Sequence, residues 1–242
     1  MEKDLQHYAK VHSVESFGTL DGPGIRFVLF LQGCSLQCKY CHNRDTWDIN
    51  GGEYKSLDEI FEHIKRYKNY MKLSGGGVTV TGGEPLLQVQ FLIELFKKLK
   101  KEKIHTCIDT SGMVYLTDDI KEVLKYTDLV LLDIKHINDE KCKDLVGVSN
   151  KKELEFARYL SDNNIKMWIR QVLVPGYTDD EQDLMKLKEF IQSLKTVERV
   201  QILPYHSMGK FKWKKLGLDY QIDDVRDATQ EDVKRAEEIL RI

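Results

Sequence analysis

Apolar and polar positions alternate from Val11 to Phe17, which predicts a strand at a sheet edge, running into the glycine- and proline-rich turn Gly18 to Gly24. Ile25 to Leu31 is then almost continuously apolar, the pattern of a strand buried on both faces of a parallel sheet. The period becomes helical at Ser56-Leu57-Asp58-Glu59, a capping box ahead of Leu57, Ile60, Phe61 and Ile64 on one face. Val78 to Thr81 predicts a short strand stopped by Gly82-Gly83-Glu84-Pro85, with a helix from about Leu86 to Lys101 behind it. His105 to Asp109, Leu129 to Asp133, Lys166 to Val174 and Val197 to Leu203 read as further strands. Asp118 to Lys125, Lys151 to Leu160 and Asp179 to Leu194 read as the helices between them. The basic and aromatic stretch Gly209 to Lys215 reads as a loop, and a last helix is capped by Thr229 and runs to Arg241.

Six strand–helix alternations predict an α/β fold with a parallel sheet. No G-x-G-x-x-G follows the first strand, as a doubly wound nucleotide fold would show, and six units fall short of the eight of a closed barrel. A partial (β/α)6 TIM-like barrel of parallel strands, one domain over residues 1–242, fits the count best. With 41% hydrophobic and 31% charged residues the chain has the composition of a soluble globular protein. A net charge of -2 offers no basic excess for a nucleic acid. No apolar run reaches the roughly 18–20 residues of a membrane span, and Met1 to His7 lacks a signal-peptide core. Neither nucleic acid nor membrane is therefore an expected partner. Five cysteines, three of them crowded together, do not suggest a secreted disulfide framework, so the cytoplasm is the expected compartment.

The crowded cysteines carry the chemistry. Cys34, Cys38 and Cys41 are spaced C-x3-C-x2-C within eight residues. Three thiolates can hold an iron–sulfur cluster that keeps one iron open. A structural zinc site would need a fourth ligand, and His42 is badly placed to join its neighbour Cys41. Cys107 reads as an inert buried thiol and Cys142, on a polar stretch, as a surface or half-buried one. In parallel α/β folds ligands bind at the C-terminal strand ends. Those ends offer the three cysteines, then Gly82, Gly83 and Glu84, then Asp109 and Thr110, then Asp133 and Lys135, then Arg170 and Gln171, then Tyr205 and His206. For each a plain structural role, as a turn glycine, a helix cap or a solvated lysine, stays open.

The cysteine spacing with Tyr40 before Cys41 resembles the signature of the radical S-adenosylmethionine enzymes, and Gly82-Gly83-Glu84-Pro85 resembles their second motif. Asp21 to Arg26, Tyr40 to Arg44, His105 to Thr110 and Leu203 to His206 are together similar to the family of pyruvate formate-lyase-activating enzymes, along nearly the whole chain. The resemblance implies a 4Fe-4S cluster on Cys34, Cys38 and Cys41, with S-adenosylmethionine on the open iron. One electron then yields a 5′-deoxyadenosyl radical that takes a hydrogen from a glycine α-carbon. It implies Gly82, Gly83 and Glu84 at the methionine amino group, and Lys135, Arg170 and His206 at its carboxylate and the adenosyl part. Tyr40 and His42 would flank the adenine, Asp133 would meet the ribose or a nearby cation, and Cys41 and Ile134 would also belong to the cofactor-binding residues. Asp109, Thr110 and Asp133 would hold a monovalent cation, and the turn from Asp21 to Arg26 would receive the substrate loop. The implied partners are pyruvate formate-lyase and a flavodoxin or ferredoxin type electron donor, and the chain is expected to be a monomer. Two alternatives remain at this point: an activase of another glycyl radical enzyme, and a non-catalytic iron–sulfur electron carrier.

Overall fold

A computed structural model describes residues 4–240. These divide into two compact units that interleave along the chain. The first takes the chain up to Ser35, Thr46–Thr110 and Tyr115–Leu131, and the second Leu36–Asp45, Ser111–Val114 and the chain from Leu132 on. Met1 to Lys3, and Arg241 at the expected end of the last helix, lie outside the described residues.

The first unit holds strands β1 (Tyr8–Gly18), β2 (Arg26–Leu31), β3 (Glu53–Ser56), β4 (Gly77–Gly82) and β5 (His105–Thr110). Its helices are α1 (Leu57–Lys65), α2 (Lys68–Ser74), α3 (Val89–Lys101) and α4 (Asp118–Leu124). Strand β6 (Leu129–Asp133) belongs to this unit up to Leu131 and to the second from Leu132. The strand order is β3-β1-β2-β4-β5-β6. Here β2, β4 and β5 are parallel, with Leu31 opposite Gly82 and Val80 opposite Ile108. The apolar run accounts for β2, where Phe27, Val28, Leu29 and Leu31 are all buried. Each such side chain contributes about 1.5–3 kcal/mol relative to exposure.

β1 is not the edge that its alternation predicts. The short β3 pairs antiparallel on its far side, Tyr8 opposite Ser56 and Val11 opposite Glu53. Four residues reading Glu-Tyr-Lys-Ser have too little pattern to announce a strand. Helix α1 starts where its capping box says, with Ser56 accepting from the Glu59 N–H and Glu59 from the Ser56 N–H. The helix expected from Leu86 begins instead as a 3-10 turn over Pro85–Gln88, and α3 proper starts at Val89.

The second unit holds the end of β6, β7 (Met167–Leu173) and β8 (Val197–Pro204), the last two parallel with Arg170 opposite Gln201. Its helices are α5 (Asp139–Val146), α6 (Lys151–Asp162), α7 (Glu181–Gln192), α8 (Lys210–Lys215) and α9 (Gln230–Leu240). Asn138 caps α5 and Asp180 caps α7, each accepting two backbone N–H groups. The stretch expected as a loop is helix α8, anchored by the buried Trp213. Cys142 corrects another expectation. It is fully buried on α5, and desolvation pushes its thiol up to about 12, because the polar sequence around it lines the helix's outer side only.

Candidate active site

In the first unit β2 ends at Leu31, and Gln32 and Gly33 lead to Cys34. The loop after β4 continues the parallel pairing past the strand ends: the Gly83 N–H donates to Leu31 O at 3.0 Å and the Glu84 N–H to Gly33 O at 2.8 Å. Only glycines allow this approach. A Cβ on Gly83 would lie 2.1 Å from Gly33 O, and one on Gly82, whose φ is +121°, 2.2 Å from Leu31 O. Glu84 is buried, with Oε1 accepting from Thr110 Oγ1 at 2.6 Å and from the Leu86 N–H at 3.2 Å. Thr81 Oγ1 donates to Asp109 Oδ2 at 2.8 Å. Gly82, Gly83, Glu84, Asp109 and Thr110 thus form one connected set at the strand ends, on the same side as Cys34.

Asp21 and Arg26 are not brought there. They lie at the opposite end of β2, five residue rises or about 17 Å from Leu31. Arg26 has no exposed surface. Its Nε donates to Thr79 Oγ1 at 2.9 Å and its Nη2 to Val78 O at 2.6 Å. Its Nη1 reaches Pro23 O at 3.4 Å and His105 Nδ1 at 3.2 Å. Thr79 Oγ1 in turn donates to Asp21 O at 2.6 Å. The buried Arg26 side chain therefore holds up the turn from beneath, and Asp21 on that turn is part-exposed.

In the second unit Asp133 and Lys135 sit at the end of β6. Lys135 Nζ donates to Asp133 Oδ2 at 2.9 Å, and Arg170 Nε lies 3.9 Å from Asp133 Oδ1. Burial alone would lower the Lys135 pKa, but Asp133 and Tyr40 hold it well above the usual lysine value. Burial would likewise raise Asp133, yet Lys135 and Arg170 keep it below the ordinary carboxylate value. The pair is ionised, and Asp133 Oδ1 is buried with no hydrogen-bond donor. Tyr40 is buried with Lys135 Nζ 6.0 Å from its ring centre. The Ile134 N–H is taken by Arg170 O at 2.8 Å, and its side chain is fully buried, so only its carbonyl can face a ligand.

His42 Nε2 donates to His206 O at 2.9 Å, and the two rings lie 4.3 Å apart. Burial and the neighbouring His206 lower the His42 pKa, so the ring is neutral at neutral pH. His206 Nδ1 is buried with no hydrogen-bond partner. The five cysteines form no disulfide.

Residues 28–187 match the Radical SAM superfamily. The chain is 49% identical over 232 residues to the pyruvate formate-lyase 1-activating enzyme of Escherichia coli K12, covering 96% of this chain and 94% of that one. It is 55% identical to the pyruvate formate-lyase-activating enzyme of Staphylococcus epidermidis, over 93% of this chain and 92% of that one. The chain belongs to the radical SAM superfamily and, within it, to the pyruvate formate-lyase-activating enzyme family. A crystal structure of a domain of the Bacteroides vulgatus pyruvate-formate lyase-activating enzyme matches with a TM-score of 0.58 at 28% identity, over 69% of this chain and 94% of that one. A radical SAM methyltransferase from Sphaerobacter thermophilus shares the fold alone, with a TM-score of 0.65 at 16% identity over 96% of this chain and 74% of that one. The fold is thus the open, mostly parallel α/β arrangement of radical SAM enzymes, as the partial barrel requires.

Beneath Lys135 lies an acid whose burial its sequence context signals. Glu153 is fully buried, accepts the Lys135 N–H at 2.7 Å, and is held well above the usual carboxylate range by desolvation. It stands three, four and seven residues before Phe156, Ala157 and Leu160, all buried on the same face of α6. An acid in line with an apolar stripe is a buried acid.

Proposed function

We propose that this chain activates pyruvate formate-lyase by generating a radical on one of its glycines. The carrying observation is the Cys34, Cys38 and Cys41 stretch, in a chain that matches curated activating enzymes over more than nine-tenths of both lengths.

The donor set fits a 4Fe-4S cluster. Eight residues of continuous chain hold the three thiols together. Among the described residues no three acidic, histidine or cysteine side chains are gathered tightly enough for a single ion. Three thiolates of this spacing can each take a separate iron of one cluster. When bound, the cluster supplies the electron that splits S-adenosylmethionine to the 5′-deoxyadenosyl radical that takes a glycine hydrogen. The protein's own part is to bind, orient and exclude water. In this reading Glu84 and the carbonyls of Gly82 and Gly83 accept from the methionine ammonium, with Thr110 fixing the Glu84 carboxylate. Lys135, Arg170 and His206 serve the carboxylate and adenosyl part. His206 Nδ1 and Asp133 Oδ1, both buried and without hydrogen bonds, are atoms that a ligand can complete. Tyr40, Cys41 and His42 flank the adenine, and Asp109, Thr110 and Asp133 are offered to a monovalent cation.

The turn at Asp21 stands about five extended residues from the cysteine end. It therefore meets a part of the substrate loop remote from the glycine that loses its hydrogen. We further propose a flavodoxin or ferredoxin type reductant, a monomeric chain, and a role in anaerobic glucose metabolism in the cytoplasm. No helix among the described residues is long and apolar enough to cross a membrane.

The test is anaerobic incubation of the iron-loaded chain with reductant, S-adenosylmethionine and pyruvate formate-lyase. Release of 5′-deoxyadenosine together with a glycyl EPR signal is expected. A cluster whose EPR signal ignores S-adenosylmethionine would point to an electron carrier instead. Cys38→Ala should lose the cluster and all activity; retained iron and turnover would sink the three-thiol reading.

A further inference from the structure

Residues 41–45 and 206–213, far apart in sequence, meet repeatedly within the second unit. Trp213 Nε1 donates to Cys41 O at 2.9 Å. His42 Nε2 donates to His206 O at 2.9 Å, and Gly209 lies so close that a Cβ there would be 2.7 Å from the His42 ring. Lys212 Nζ donates to Asn43 Oδ1 at 3.2 Å and to Asp45 Oδ1 at 3.0 Å. The Arg44 guanidinium covers the Trp213 ring at 5.4 Å. Trp213 itself is 3% exposed and packs edge-on against Tyr220, whose hydroxyl donates to Tyr205 Oη at 3.1 Å.

We infer that Trp213 is a positioning residue for the cysteine loop: its indole N–H fixes the Cys41 carbonyl, and with it the orientation in which Cys41 and His42 present themselves to S-adenosylmethionine. Three physical points carry this. A loop ending in a ligand has no secondary structure of its own to hold its last carbonyl, so the direction of that group must come from elsewhere. An indole has one donor and no acceptor, and here it is given to one backbone oxygen in a buried place, where a misdirected donor is costly. Finally, the Lys212 contacts fix the residues on the far side of His42, so the turn is held from both ends. The inference rests on the proposed function, because it assigns the loop to that cofactor.

The experiment compares the wild-type chain with Trp213→Phe, which keeps an aromatic ring and removes the donor, and with Phe211→Ala on the exposed face of the same helix. Each protein is loaded anaerobically with iron and sulfide. Melting temperature, iron content, S-adenosylmethionine affinity by equilibrium binding, and the EPR change that S-adenosylmethionine induces in the reduced cluster are then measured. Trp213→Phe should keep its iron, bind S-adenosylmethionine about fivefold more weakly, as loss of one neutral hydrogen bond gives, and show an altered EPR change. Phe211→Ala should match wild type in all four. A Trp213→Phe protein that melts lower or holds less iron, yet binds with unchanged affinity per loaded cluster, would overturn the inference and leave Trp213 a packing residue. Should Trp213→Phe fail to fold, Lys212→Met replaces it, with a two- to threefold loss of affinity expected and none overturning the inference. Failure of the wild-type chain to take up a cluster is a separate result, which overturns the parent reading before any variant is compared.

Discussion

The molecule buries two cations in opposite ways. The Arg26 guanidinium donates to neutral groups, a hydroxyl, two carbonyls and an imidazole, with carboxylates acting on it from farther off. Burial pulls its pKa down, opposed by Cys107, Asp21 and Asp128, and the guanidinium stays charged because its intrinsic pKa is so high. Lys135 has a carboxylate at 2.9 Å, and its pKa moves up. The first arrangement is saturated and rigid. The second has an acceptor left over, Asp133 Oδ1, and a cation that can exchange partners. A scaffold suits the first; a site that must receive an ionic ligand suits the second.

Substitutions can break this contrast, and the largest effect belongs to the scaffold. Arg26→Met leaves the Val78 and Pro23 carbonyls and the Thr79 hydroxyl short of a donor inside the protein. A loss of about 3–4 kcal/mol is expected in urea unfolding of the metal-free chain. S-adenosylmethionine affinity of the folded fraction should not change; a loss of affinity as large as the loss of stability would erase the distinction.

Asp133→Asn comes next. Breaking a buried pair costs about 3–5 kcal/mol when both charges are fully enclosed. With side chains 12% and 22% exposed, about 2 kcal/mol is the expectation here. Because the folded Asp133 carboxyl lies below its ordinary value, its contribution is present above pH about 4 and fades as the pH falls through the folded value. Variant and wild type should therefore converge in acid, and a gap that widens on acidification would contradict the ionised pair. S-adenosylmethionine binding should fall with stability in this variant, unlike in Arg26→Met.

The smallest effect sharpens the contrast. Glu153 has a raised folded pKa, so its stabilising share is complete below about pH 4.5 and is lost as the pH rises through the folded value. Glu153→Gln should match wild type at pH 4 and gain about 1 kcal/mol by pH 8. A pH-independent difference would mean that Lys135 ionises this acid after all.

What the sequence revealed follows from how far each signal reaches. The buried strands carry their own apolar runs and α1 its own capping box, so they are legible. β3 is not, because its four residues owe their strand to the β1 edge they pair with. Helix α8 reads as a loop because its lysines hide the one buried face, that of Trp213. In the site, Cys34, Cys38 and Cys41 announce themselves by spacing, and Glu84 by its glycines. Arg26 shows the limit of a motif, which says that a residue matters without saying whether its side chain faces a ligand or the protein interior. That comes from the packing, in which the guanidinium turns inward to Thr79 and Val78.

The close backbone contact between Gly33 and Gly83 also limits which changes in length the chain can tolerate. Surface loops ordinarily absorb an added or missing residue. The two residues between Leu31 and Cys34 cannot, since they are hydrogen-bonded into a continuation of the strand pairing, with no slack to take up. One residue inserted there would displace Cys34 by a full step against the Gly82–Glu84 loop. The same constraint extends to the exposed turn from Asp48 to Gly52, because Asp48 O accepts from Gln32 Nε2 at 2.9 Å and Ile49 lies against Gly33.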